Sequence, residues 1–148
     1  MSGLLTRAIV GTLDRIASHF VSRDPASQHL ETGRRGEEAA YFHLRTLGYV
    51  MVARNFRSSR RHGEIDLIGW DGEVLCFIEV KTRSSHDVKP AEAAVDHAKR
   101  RELAAVAREY LRSMPPSCQW RFDVVSVYYE EQSHEPRIEL FQNAFSVS

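Results

Sequence analysis

At 148 residues the chain is long enough to bury a core of its own and is the size of one domain. Its 43% hydrophobic and 27% charged residues, with no low-complexity tract, exclude wholesale disorder. The 20 basic and 20 acidic residues cancel, which excludes a uniformly basic surface and leaves any polyanion-binding face to local clustering.

Cys76 and Cys118 lack metal-ligand spacing, and the 7 histidines show no paired spacing of the zinc type. Cys76 sits in an apolar run where a buried free thiol is expected, which suits a reducing, cytoplasmic setting. No apolar stretch has the length of a membrane span, and no membrane partner is expected.

Leu4, Leu5, Ile9, Leu13, Ile16 and Phe20 recur at helical spacing, interrupted by Arg7, Asp14 and Arg15. This pattern predicts an amphipathic helix packing on the domain or on a partner, not a secretory signal. Ser22 to Thr32 is polar and turn-rich and reads as a linker. Residues 1–30 are thus expected to form an N-terminal helix and linker, and residues 31–148 the main domain.

In that domain a helix is predicted over Gly36 to Leu47, with Ala40, Leu44 and Leu47 on one stripe and Gly48 as its stop. A strand follows over Tyr49 to Phe56, then the basic polar loop Arg57 to His62. Ile65 to Trp70 and Glu73 to Thr82 read as two strands around Asp71-Gly72, a dipeptide suited to a tight hairpin. Asp96 to Arg112 is a long amphipathic helix that Pro115-Pro116 forbids from continuing. Trp120 to Tyr129 and Arg137 to Phe141 complete the strands. The order predicts an α/β fold, a mixed sheet flanked by helices.

Glu79 and Lys81, two apart in a strand, point to the same face. With Asp71-Gly72 as a two-residue loop, Trp70 faces Glu73, Ile68 faces Leu75, Asp66 faces Phe77 and Glu64 faces Glu79. That register sets Asp66 diagonal to Glu79 and on one side with Glu79 and Lys81. Ile65, Leu67, Val74, Cys76, Ile78 and Val80 are left as an apolar core face. Two carboxylates and an ammonium at one mouth are what metal-assisted phosphodiester cleavage requires. Glu79-Val80-Lys81 alone would be ordinary solvated strand surface. Its apolar surroundings change that, because charges among buried positions are costly unless paired or metal-bound.

Glu37, Asp66 and Glu79-Val80-Lys81, followed by a helix holding Lys99, resemble the PD-(D/E)xK nuclease superfamily. More narrowly, the chain resembles the bacterial YraN-like family, related to Holliday-junction resolvases. The matching pieces are Gly33-Arg34-Arg35-Gly36-Glu37, Gly63-Glu64-Ile65-Asp66-Leu67-Ile68, Phe77-Ile78-Glu79-Val80-Lys81-Thr82-Arg83, Arg121-Phe122-Asp123-Val124-Val125 and Asn143-Ala144-Phe145. Ile65 stands where the superfamily's name has proline. The resemblance implies a restriction-endonuclease-like fold and a metal-dependent endonuclease acting on DNA, with branched or structured DNA among the candidate substrates. It adds the backbone carbonyl of Val80 to the metal ligands, places Glu37 at the metal site, and implies a homodimer by analogy with resolvases.

Magnesium, or manganese in its place, takes one or two protein carboxylates with waters and phosphate oxygens. Asp66 and Glu79 can supply these. A lysine is ordinarily protonated at neutral pH, so charge stabiliser on the phosphorane is the expected role for Lys81. Arg57, Arg60, Arg61 and Arg83, with Lys99 from the long helix, are candidate phosphate contacts around this site. Each has a blander reading: exposed loops are often arginine-rich, Glu37 in a first helical turn is favoured by the helix dipole, and Glu64 is either an outer ligand or solvated. His62 is a weaker candidate as a proton shuttle. Asp123, on an apolar strand, is expected to satisfy a structural hydrogen bond. The rival to the enzyme is a non-catalytic nucleic-acid-binding or partner-docking module on the same fold.

Overall fold

The computed structural model describes residues 25–60, 62–84, 95–130 and 133–147. The elements are α1 (Pro25–Thr46), β1 (Val50–Arg57), β2 (Glu64–Asp71), β3 (Val74–Ser84), α2 (His97–Leu111), β4 (Gln119–Tyr129) and β5 (Arg137–Phe145). The chain divides between Arg34 and Arg35 into two units. The sheet, α2 and the remainder of α1 belong to the second. The expected N-terminal helix lies outside the described residues. Among those described, no helix is long and apolar enough to cross a membrane.

The Ser22 to Thr32 linker reading is corrected from Pro25 onward, because Pro25–Thr32 is already helical. Proline is tolerated in a first turn, where its missing N–H has no partner to lose. Thr32 Oγ1 donates back to the Gln28 carbonyl at 2.8 Å, which accommodates the polar side chain within the helix. The stop at Gly48 is as expected. Gly48 adopts φ 94°, with its N–H on the Arg45 carbonyl and the Tyr49 N–H on the Leu44 carbonyl, both 3.0 Å, so the last helical carbonyls are satisfied. The long helix also matches its prediction: Asp96 caps α2 by accepting from Lys99 N–H, and Arg112 closes it.

The strands lie in sequence order, β1 to β5. β1, β2 and β3 form an antiparallel meander, α2 carries the chain across to parallel β4, and β5 returns antiparallel. Both faces of the sheet are covered. Ile65, Ile68, Phe77, Phe122 and Val124 pack with Leu103, Val106 and Ala107 of α2. Leu67, Cys76, Ile78, Val80, Val125 and Val127 pack with Ala40 and Leu44 of α1. The expected single core face is therefore two, because strands of a doubly covered sheet bury alternate residues on both sides. Ile65 changes sides relative to that expectation.

The hairpin register also differs. Asp71 pairs with Val74, Trp70 with Leu75 and Ile68 with Phe77, so the loop is Gly72-Glu73. Gly72 adopts φ 59°, the first central position of a type II′ turn that glycine favours. Asp71 stays in the strand, where its carboxylate accepts from Arg121 Nη2 at 2.7 Å. The loop moves by one residue and the opposing pairs by two, so side-chain faces are preserved while partners change.

Asp123 meets its expected structural role. Fully buried, it accepts from Arg121 Nε at 2.8 Å, Tyr49 Oη at 3.1 Å and Asn143 N–H at 2.9 Å. This knot ties β4 to β5 and to the chain leaving α1. Burial pushes the nearby Cys76 thiol up to about 12, so it stays protonated and inert.

Candidate metal centre and active site

The site forms where the β2–β3 ladder gives out. Pairing runs from Asp71↔Val74 to Leu67↔Ile78, and the next rung would set Asp66 opposite Glu79. In place of a ladder carbonyl, Asp66 Oδ2 accepts the Val80 N–H at 2.8 Å. A strand residue's N–H and C=O leave by the same edge, so the Val80 carbonyl also faces the gap beside Asp66.

A break in strand alternation accounts for the gap. Ile65 and Ile68 are three residues apart yet share the core under α2, and across the sheet Ala53 and Phe56 do the same. A regular strand would place such pairs on opposite faces. Asn55, between them, adopts φ 50°, a left-handed conformation that asparagine tolerates better than most residues. The kink brings Asp66 to Glu37 on α1. There Gly36 lets helix and strand approach, since a Cβ on it would collide with Thr82 Oγ1.

Glu37, Glu64 and Asp66 each offer a carboxylate oxygen within 4.8 Å of the other two. The Asn55 amide bridges two of them, donating to Glu37 Oε2 at 3.0 Å and Glu64 Oε1 at 2.7 Å. Arg57 Nε holds the other Glu64 oxygen at 2.7 Å. Glu64 therefore does not face Glu79 as the expected register required; it lies beyond the last β2–β3 rung, paired across to Arg57 of β1.

Glu79 is 6% exposed. Its Oε1 lies 3.5 Å from Lys81 Nζ, while its buried Oε2 has no hydrogen-bond partner among the described residues. An orphaned carboxylate oxygen is costly unless a proton, a cation or a water's hydrogen bond meets it. Burial, then the Glu79 and Glu37 charges, push Asp66 up to about 8, against the opposing Val80 N–H. Burial raises Glu79 too, with Lys99 and Lys81 pulling the other way. Both carboxyls are therefore pushed toward the protonated form, and the pair titrates as a unit.

An all-oxygen donor set with an orphaned oxygen fits a hard divalent cation such as magnesium or manganese. Glu37, Glu64 and Asp66 are gathered closely enough to hold it; Glu79 lies outside that close set, on the Lys81 side, and the direction of the Val80 carbonyl is compatible with a further contact.

Lys81 sits beside Glu79, half-buried and open to solvent, and the charge of Lys99 in the first turn of α2 also acts on that carboxylate, while Lys99 itself pairs with Glu102 at 3.5 Å. The proposed arginine rim is only partly assembled. Arg57 is exposed and bonded to Glu64 of the cluster, Arg60 is exposed three residues further on, Arg61 lies outside the described residues, and Arg83 is 7% exposed, which leaves little surface for a phosphate. His62 is exposed. Asn55 and Gly36 were not singled out from sequence as site residues. An asparagine inside an apolar-alternating strand and a glycine beside Glu37 were the available signals.

The model of the family described as Uncharacterised protein family UPF0102 matches residues 36–127, a span that includes Glu37, Glu64, Asp66, Glu79, Lys81 and Lys99. A UPF0102 protein of Koribacter versatilis (strain Ellin345) is 53% identical over 134 residues, 90% of this chain and 92% of the relative. One of Solibacter usitatus (strain Ellin6076) is 44% identical over 140 residues, covering 93% and 100%. One of Symbiobacterium thermophilum is 48% identical over 118 residues, covering 76% and 94%.

Proposed function

The chain belongs to the UPF0102 family, the YraN-like group of PD-(D/E)xK nuclease-like proteins, and on that premise we propose that it is a divalent-metal-dependent endonuclease hydrolysing DNA phosphodiesters. The observation that carries this reading is the half-buried Asp66 against the buried Glu79 at the end of the β2–β3 ladder, with Glu79 Oε2 orphaned and Lys81 Nζ 3.5 Å from Glu79 Oε1. Two carboxyls forced together in a dry site, beside an ammonium, are unfavourable for folding and suited to gathering a cation and a phosphate.

When bound, magnesium or manganese supplies Lewis-acid activation of the phosphate and charge stabilisation at the leaving oxygen. The protein's own groups do the rest. Asp66 and Glu79, with Glu37 and Glu64, would hold the ion, and Asp66 would give up its proton to do so. Lys81 presents a fixed positive charge where negative charge grows on the phosphorane, and orients the attacking water. Asn55 and Arg57 keep Glu37 and Glu64 aimed at the cluster.

A fold does not choose a substrate, so the test compares linear, flapped and four-way-junction DNA with magnesium or manganese, using Asp66→Ala as control. Cleavage of one class, absent in the variant and in chelator, supports the reading. Salt-sensitive binding without cleavage under any divalent ion would replace it with a non-catalytic nucleic-acid-binding module.

A further inference from the structure

The second helix of the sheet domain carries positive charge that neither folding nor the metal centre accounts for. Arg101, Ala105, Arg108 and Arg112 recur at three- and four-residue spacing and form one stripe, opposite the buried Leu103, Val106 and Ala107. All three arginines are exposed. Among the described residues they make no ion pair, because both carboxylates of α2 are engaged elsewhere. Glu102 pairs with Lys99 at 3.5 Å. Glu109 accepts from Ser58 Oγ, and from Ser59 N–H and Oγ at 3.3 and 3.1 Å.

The Glu109 latch fixes the β1–β2 connection against α2 and sets Arg60 beside Arg108 and Arg112 around an open cleft of about 450 Å³. A second cleft of about 460 Å³ opens at the other end of the helix, lined by His97, Arg100 and Arg101. Cations near a helix C-terminus are favoured by the dipole, which accounts for Arg108 in the last turn and Arg112 at the cap. Arg100 is placed by folding, donating to the Val95 carbonyl at 2.8 Å and lying over the Phe145 ring, but Arg101 stands exposed near the N-terminus, where that dipole opposes it.

We propose that the Arg101–Arg108–Arg112 stripe, with Arg60, is a track for the sugar-phosphate backbone of a nucleic-acid duplex, holding an arm of the substrate away from the cleavage point. This rests on the nuclease reading and adds to it the surface that grips the polyanion. The stripe extends along roughly 16 Å of helix, the length of several phosphates on one strand. It is continuous with the metal centre: Arg60 is three residues from Arg57, at most about 11 Å of chain, and Arg57 holds Glu64. In a chain of zero net charge, Arg60, Arg108 and Arg112 around a cleft whose one carboxylate among the described residues is Glu109, continued by Arg101, make a net positive local field that selects a polyanion.

The test measures binding of the full-length protein to labelled duplex and four-way-junction DNA in chelator, from about 50 to about 200 mM salt. Arg101→Gln/Arg108→Gln/Arg112→Gln is compared with wild type and with the corresponding Arg→Lys triple, each checked for wild-type unfolding temperature and manganese binding. The glutamine triple should bind about 10- to 100-fold more weakly, with a salt slope shallower by about 2 to 3, and the lysine triple should retain most of both. Unchanged affinity and slope in the glutamine triple overturn the track and leave the nuclease reading standing. A wild-type protein that binds anionic vesicles of phosphatidylserine but no nucleic acid overturns both.

Discussion

Asp66→Asn should stabilise this protein when no divalent ion is present. The folded chain holds the Asp66 carboxyl at about 8, against 3.8 ordinarily, through burial first and the Glu79 charge second. Between those values the folded state binds a proton that the unfolded state has released. Stability therefore falls as pH rises from about 4 to about 8, at no more than ~1.36 kcal/mol per pH unit. At pH 7 the ceiling is roughly 4 kcal/mol. Sharing of the proton with Glu79 and adjustment of the surrounding groups reduce it, to about 1–3 kcal/mol.

Asparagine keeps an oxygen for the Val80 N–H and removes the proton uptake. The variant should gain this amount at pH 7, roughly 3–9 °C in unfolding temperature. Thermal unfolding in chelator at pH 5, 6, 7 and 8 reads it directly. The gap between variant and wild type should widen toward pH 8 and close toward pH 4, and manganese should raise the wild-type unfolding temperature only. A variant less stable than wild type at pH 7 to 8, or a gap independent of pH, would refute a strained, proton-holding pair.

Three further outcomes follow from the same geometry. Manganese affinity of the wild type should increase with pH up to about 8, with close to one proton released per ion, as calorimetry in buffers of different ionisation enthalpy would show. Gly36→Ala should cost about 1–3 kcal/mol by forcing α1 away from Thr82 and should weaken manganese binding as Glu37 moves; Thr82→Ser should leave both near wild type. Asp123→Ala should cost about 3 kcal/mol in chemical denaturation by leaving Arg121 Nε, the Tyr49 hydroxyl proton and the Asn143 N–H without their acceptor, with manganese binding retained in the folded fraction.

Features encoded locally were legible from sequence. Asp96 and Arg112 bound α2 because an N-cap and an apolar stripe are written within one helix, and Gly48 ends α1 because only a left-handed residue closes that turn. Asp66, Glu79 and Lys81 were readable because strand parity survives a two-residue change of partner. The partners themselves were not, since Asp71-Gly72 and Gly72-Glu73 are both good turns and the bond from Arg121 to Asp71 helps decide between them. Asn55 escaped for a similar reason. Its left-handed backbone and its bridge between Glu37 and Glu64 are tertiary consequences of a strand kink that no local pattern announces. The arginine row on α2 was present at helical spacing, but its significance depends on where Glu102 and Glu109 point.

The central claim is that Asp66, Glu79 and Lys81 form one hydrolytic centre, and single-turnover cleavage by the Lys81→Ala protein tests it most directly. With magnesium or manganese and the DNA class that wild type cuts best, the variant should bind ion and DNA nearly as wild type does. Its cleavage rate should fall by about 10²- to 10³-fold, the scale of losing one charge stabiliser. Cleavage at the wild-type rate would contradict the account.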